Sequence, residues 1–142
     1  MDRIKDTHCS LHVYFTVKEN KQTEFTKTFD KMLKKVQQEP NCLYYNMSQQ
    51  KTKANDTGSN SSTLQRAYCR EGYKTADDLL FHVGNVGPEL AEIAAFSDMT
   101  KIECHCDEKS WNDILKDAWE KSGLVAEFWE ISDGGSFNKN VL

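Results

Sequence analysis

The sequence predicts an α+β domain in which an antiparallel β-sheet carries helices on one face. Apolar and polar residues alternate from residue 9 to residue 17, which is typical of a half-buried strand. Between residues 20 and 38 the apolar residues recur at three- and four-residue steps, which predicts an amphipathic helix that ends before Pro40. Alternation returns over residues 100–106. A chain that changes between these two periods is expected to pack helices against a sheet.

The elements between these segments follow from local signals. Tyrosine-rich residues 42–47 and residues 64–73 predict the second and third strands. Thr75 can cap a helix whose first turn is acidic, and Gly84 is expected to interrupt that helix. Pro88 suits the first turn of a further short helix. The order strand, helix, strand, strand, helix, strand is the split βαβ arrangement of ferredoxin-like folds.

A C-terminal extension, residues 107–142, follows this core. Ser110 is a plausible cap for a helix that Gly123 ends, and residues 124–131 predict a fifth strand. A chain of 142 residues is expected to form one domain spanning residues 1–142. The polar loop at residues 48–62 is interpreted as a passive insertion; a flexible lid is the alternative.

Charge and composition exclude several classes of partner. The chain has 18 basic and 22 acidic residues, a net charge of -4, and no basic run, so neither nucleic acid nor an anionic membrane is expected as a partner. No apolar run can span a bilayer and the N-terminus lacks the features of a secretory signal. We therefore predict a soluble, cytoplasmic protein.

Five cysteines form an odd set without a CxxC motif and are interpreted as reduced thiols. Cys104, His105 and Cys106 resemble a metal-binding motif. In a strand, however, the two thiols point to one side and the imidazole to the other, so no local three-ligand site forms. A disulfide between Cys104 and Cys106 is equally unfavourable. No metal ligand set is predicted.

Three segments carry a resemblance to a known family. They read FTVK at residues 15–18, QEPNCLYY at residues 38–45, and REGY at residues 70–73 with His82 nine residues further on. This pattern, over about residues 8–106, resembles the antibiotic-biosynthesis monooxygenase family. Asn41 stands where the family usually has glycine, and Tyr73 where it often has tryptophan.

The resemblance implies a fold, a partner and a chemistry. It implies that two copies pair their sheets into a dimeric α/β barrel. It also implies a cofactor-independent oxygenase that acts on a small aromatic, quinol-type substrate without metal or flavin. A non-catalytic dimeric binding module is the alternative, and a haem-binding or haem-degrading relative is the third possibility considered. Relatives share a fold more often than they share a reaction. The resemblance therefore supports the fold more strongly than the chemistry.

Three residues are candidates for catalysis. His12 and Tyr14 lie on the polar face of the first strand, where a dimer would enclose them and they could accept a phenolic proton. Alternatively, they are solvated or interface residues. His82 matches the position of the family's histidine; the alternative is a capping or surface group at a helix end.

Three further residues are candidates for substrate binding: Glu71, Tyr73 and Asn46. Glu71 and Tyr73 share one face of the third strand and can present a carboxylate and a phenol to one pocket. Glu71 can instead pair with Arg66, Arg70 or Lys101 across the sheet. We favour this structural use for Glu71 and a pocket wall for Tyr73.

Overall fold

In the computed structural model, residues 8–50 and 65–131 are described. The strands are β1 (Cys9–Val17), β2 (Cys42–Gln49), β3 (Gln65–Tyr73), β4 (Ser97–Cys106) and β5 (Glu127–Glu130). The helices are α1 (Gln22–Val36), α2 (Ala76–Asn85), α3 (Gly87–Ile93), α4 (Glu108–Ser110) and α5 (Lys116–Ser122), with a π-helical turn (Trp111–Leu115) between the last two. Most of the predicted loop at residues 48–62 lies outside the described residues, and so does the tail beyond residue 131.

The five strands form one sheet in the order β2-β3-β1-β4-β5. The first four strands of that sheet pair antiparallel, whereas β5 pairs parallel to β4. Parallel neighbours need a crossover connection, and the helical segment from α4 to α5 provides it. The predicted ferredoxin-like α+β fold with a C-terminal helix and strand is confirmed.

The alternation in β1 decides which face of the sheet is covered. Leu11, Val13 and Phe15 are buried under the helices, whereas His12 and Tyr14 are half-buried on the other face. From α1, Phe25 packs its ring edge-on to Phe15, with 5.5 Å between the ring centroids. We call the sheet surface without helices, which carries His12 and Tyr14, the open face.

Several predicted boundaries differ in detail. The α2 helix continues through Gly84 to Asn85, because a glycine so close to a helix end costs little. Its predicted cap is present, since the Thr75 hydroxyl accepts a 3.3 Å hydrogen bond from the Asp78 backbone N–H. The Gly123 backbone has a φ of 76°, the left-handed conformation of a glycine that ends a helix.

The cysteines behave as small apolar residues. All five lie in the described part of the chain and none forms a disulfide, and Cys104 and Cys106 are fully buried. The interpretation as reduced thiols therefore agrees with the structure. Among the described residues, no helix is long and apolar enough to cross a membrane.

Gly72 in β3 is required by a close contact with Tyr44. A Cβ at residue 72 would lie 2.4 Å from two ring carbons of Tyr44. That ring is held in place: its hydroxyl is 3.1 Å from His8 Nε2, and the Arg70 guanidinium lies 4.7 Å from the ring centroid. The tyrosine ring therefore occupies the space that any side chain at residue 72 would need.

We expect Gly72→Ala to lower the free energy of unfolding by about 1–3 kcal/mol, the usual cost of overpacking. Urea denaturation measures this loss. Gly84→Ala is the matched control, because a Cβ at Gly84 meets no atom within 4 Å. It should leave stability unchanged or raise it by up to about 1 kcal/mol. Equal effects at the two glycines would contradict the steric explanation.

Candidate active site

A cavity lies between the helices and the covered face of the sheet. Its volume is about 40 Å³. Most of its walls are apolar side chains from β1, α1, α3 and β4. The exceptions include Glu71 and His82, whose carboxyl and imidazole groups also line it. Titratable groups in an apolar cavity are characteristic of sites that transfer protons.

His82 is buried in α2, with 3% of its side chain exposed. Its Nδ1 atom lies 3.0 and 3.1 Å from the two carboxylate oxygens of Glu39. Asn85 lies on the same face of α2, three residues further on, and its Nδ2 atom donates to Glu39 at 2.9 Å. Glu39 therefore fixes the orientation of the imidazole ring and favours a proton on Nδ1.

Glu71 lies on the other side of the ring. Its Oε1 atom is 3.5 Å from His82 Nε2, and its Oε2 atom accepts a 3.3 Å hydrogen bond from Cys69 Sγ. Burial raises the pKa of Glu71 above its ordinary value, although the neighbouring His82 opposes the shift. The result is a buried row of groups, Glu39, His82 and Glu71, in which a proton can move between nitrogen and oxygen.

The structural pairing expected for Glu71 is not formed. Alternation in β3 turns Arg66 and Arg70 to the open face, opposite Glu71. Lys101, also on the open face, pairs with Glu103 at 2.8 Å instead. His82 is likewise not the exposed helix-end group of the alternative interpretation, because α2 turns it inward onto the sheet.

Two tyrosines surround the imidazole. The Tyr73 ring centroid lies 5.0 Å from that of His82, and the Tyr45 ring centroid lies 5.6 Å from it. Tyr45 also stacks on Phe29 and lines the cavity, whereas Tyr73 packs behind His82. Burial, together with the Glu71 charge, raises the pKa of both phenols, so both keep their protons.

The C-terminal extension closes the cavity. Trp119 of α5 and Leu124 line it, and Trp119 is only 7% exposed. The indole N–H of Trp119 is buried, and no acceptor in the described part of the chain bonds to it. This leaves a hydrogen-bond donor at the cavity wall for which a ligand would supply the acceptor.

Three residues of the site were not predicted from the sequence: Glu39, Tyr45 and Trp119. Glu39 stands directly before Pro40 in the segment that carries the family resemblance, which was an available signal. Trp119 was not singled out, although it follows Leu115 by four residues, which is an ordinary helical spacing. In the structure both Leu115 and Trp119 are buried.

The sheet divides the predicted site residues into two groups. His82, Glu71 and Tyr73 lie together on the helix side. His12, Tyr14 and Asn46 lie on the open face, where the Asn46 backbone pairs with that of Arg70. The two groups therefore cannot act on the same reacting atoms.

Glu71→Gln is expected to flatten the dependence of stability on pH. Because its pKa is raised above the ordinary 4.5, the folded state holds this proton at pH values where the unfolded state has lost it. The free energy of unfolding therefore falls as the pH rises above 4.5, by at most about 1.4 kcal/mol per pH unit for one proton. Urea denaturation at several pH values measures the slope.

Glu92→Gln is the control for this measurement. The pKa of Glu92 is lowered from 4.5 by its hydrogen bond from Lys31, so its titration affects stability only below that pH. The slope above pH 4.5 should therefore stay as in the unmodified protein. An identical slope in the Glu71→Gln variant would mean that Glu71 is not a buried, titrating group.

Residues 9–59 match the family model for antibiotic biosynthesis monooxygenase. No curated protein matches the chain. Among solved structures, MupZ from Pseudomonas fluorescens superposes with a TM-score of 0.75 at 22% identity, covering 98% of this chain and 94% of its own. This coverage includes the C-terminal extension.

Other solved structures match a smaller part of the chain. SnoaB, a cofactor-independent oxygenase from Streptomyces nogalater, has a TM-score of 0.52 at 12% identity and covers 69% of this chain and 90% of its own. A Caulobacter crescentus CB15 protein that bears the family's name has a TM-score of 0.54 at 23% identity. The match covers 70% of this chain and 88% of that protein. These comparisons confirm that the chain resembles the antibiotic biosynthesis monooxygenase family and has its ferredoxin-like fold.

Proposed function

We propose that this protein is a monooxygenase-type enzyme that oxidises a small, electron-rich aromatic substrate with O₂ and needs no bound cofactor. The observation that carries the proposal is the buried Glu39, His82 and Glu71 row at the wall of an apolar cavity. Apolar walls suit an aromatic ring, and the row supplies a base for its hydroxyl. The similarity to SnoaB, a cofactor-independent oxygenase, supports the same class of reaction.

In the proposed reaction, His82 Nε2 takes the proton of the substrate's phenolic O–H. Glu39, at Nδ1, keeps the opposite nitrogen protonated and stabilises the imidazolium that forms. The resulting phenolate is electron-rich and reduces O₂. For a naphthol, one oxygen atom becomes the second carbonyl of the quinone and the other leaves as water, with two hydrogens from the substrate.

The cavity must widen before a substrate can bind. An apolar cavity of roughly 150 Å³ can hold benzene. A cavity of about 40 Å³ is therefore too small for an aromatic ring. Trp119 and Leu124 are the walls that we expect to move, because Leu124 lies outside any helix or strand. The substrate would then bind between these two walls and the sheet, after the walls shift outwards.

The two other functions are less well supported. Haem binding is supported only by the position of His82, and a haem is much larger than the aromatic ring for which the cavity must already widen. A non-catalytic binding module is favoured only by Tyr73, which stands where relatives often have tryptophan. Since Tyr73 packs behind His82, this difference leaves the cavity wall unchanged.

Oxygen uptake with a panel of quinols and naphthols tests the proposal. We expect O₂ consumption that saturates with at least one substrate and yields the corresponding quinone, in protein treated with a chelator. Absence of turnover across the panel, while the same compounds bind, would favour the binding module.

We also propose that the protein is a homodimer that pairs its open faces. That face carries aromatic and charged groups, among them Tyr14 and Tyr68, whose ring centroids are 4.8 Å apart. In a monomer these rings would stay in contact with water. Light scattering at micromolar concentration should give twice the 16.3 kDa chain mass; a monomer mass would exclude the pairing.

A further inference from the structure

We propose that the open face holds a second, separate site, in which His12, Glu103 and His105 bind a divalent transition-metal ion such as Zn²⁺. Their ligand atoms all lie within 4.8 Å of one another, the one such group of three in the part of the chain that the structure describes. Two histidines and a carboxylate form a ligand set typical of zinc sites that keep a coordination position open.

The pairing of β1 with β4 brings these residues together. His12 and Glu103 are direct partners in the antiparallel ladder, and His105 lies two residues beyond Glu103 on the same face. The alternation that turns Cys104 and Cys106 into the core therefore turns His105 towards His12. From the sequence, no metal site was expected within the Cys104 to Cys106 segment. The sequence did not show that His12, on the neighbouring strand β1, lies beside His105.

The spacing of the groups already suits an ion. His105 Nε2 and Glu103 Oε1 are 3.1 Å apart. Bonds of about 2.0–2.1 Å to a tetrahedral zinc ion place neighbouring ligand atoms roughly 3.3 Å apart. The rings of His12 and His105 have centroids 4.4 Å apart, so small side-chain rotations would complete the set.

Neighbouring groups would orient the two imidazoles. Tyr68 Oη bonds to His12 Nδ1, which leaves Nε2 for the ion; the Ser10 hydroxyl, 3.2 Å from Nε2, would be displaced. Trp129 stacks on His105 with ring centroids 5.4 Å apart. Such supporting contacts are typical of metal-binding histidines. In a single chain the His105 side chain is 28% exposed, so an ion can bind before the open faces pair.

Lys101 is the competitor for the carboxylate. Its Nζ atom lies 2.8 Å from Glu103 Oε2 and provides the positive charge that an ion would otherwise supply. Removing this ammonium group should therefore strengthen metal binding. A cluster held together only by hydrogen bonds would instead lose a stabilising partner without gaining affinity for any ion.

Isothermal titration calorimetry with ZnCl₂, on the full chain without a histidine tag, tests the proposal. We expect saturable binding of one ion per chain that a chelator reverses. His12→Gln and His105→Gln should each weaken binding at least tenfold, and Lys101→Met should strengthen it severalfold. His8→Gln is the matched control and should leave the affinity unchanged.

The visible absorption of bound Co²⁺ gives a second measurement, which is independent of the heat of binding. We expect visible bands of a low-coordinate site in the unmodified protein and their loss in His105→Gln. Thermal denaturation must show that each variant is folded. Absence of saturable binding would overturn the proposal, and so would Zn²⁺ affinity that persists in folded His12→Gln and His105→Gln, because the ion would then bind elsewhere.

Discussion

His82→Gln is expected to lower kcat/KM for the oxidised substrate by about 10²- to 10⁴-fold, the usual contribution of a positioned general base. Glutamine keeps the size and polarity of the residue, and its amide can still donate to Glu39. It cannot take a proton from a phenol at neutral pH. The loss should therefore appear mainly in kcat, with a smaller change in KM.

Oxygen uptake and quinone formation measure this loss. His8→Gln is the matched control, because His8 also contacts a tyrosine but is not among the residues that line the cavity. The activity of this variant should be unchanged. Substrates that are already ionised at the assay pH should be less affected by His82→Gln. Unchanged kcat with neutral naphthols in a folded variant would exclude His82 as the base.

Trp119→Ala is expected to destabilise the fold by about 3–5 kcal/mol, the usual cost of removing a buried tryptophan. The side chain is 7% exposed and is part of the hydrophobic core. Trp119→Phe keeps most of this packing but removes the indole N–H. We expect it to retain most of the stability and to weaken substrate binding about tenfold, the loss of one hydrogen bond.

Denaturation and substrate titration separate these two effects. Trp111→Phe is the matched control, because Trp111 stacks on Phe128 with ring centroids 4.9 Å apart and is absent from the cavity wall. It should leave substrate binding unchanged. If Trp119→Phe bound substrate as tightly as the unmodified protein, the indole N–H would have no role in recognition.

The sequence predicted the fold well because its strongest signals are local. Alternation in β1 and helical spacing in α1 depend only on which side chains must be buried, and a sheet with one covered face requires both. The parallel pairing of β5 with β4 was harder to predict, because the direction of a strand depends on the crossover connection that precedes it. The π-helical turn was not predictable from spacing alone.

The candidate site was predicted only in part. His82, Glu71 and Tyr73 were singled out, and they do lie together. Their partner Glu39 is distant in sequence, in the turn between α1 and β2, and only the folded structure brings it to His82 of α2. His12, from the polar face of β1, and His82, from the family resemblance, were both candidates for catalysis, but the sheet separates them. Which face of a sheet encloses a cavity is a tertiary property that alternation does not specify.

The central claim is that the aromatic substrate binds in the cavity on the helix side of the sheet. A crystal structure of the His82→Gln variant soaked with a naphthol tests it directly. We predict density for the ring beside Tyr45 and Trp119, with the hydroxyl within hydrogen-bond distance of Glu71. Density against His12 and Tyr14 on the open face, with the helix-side cavity unchanged, would contradict the account.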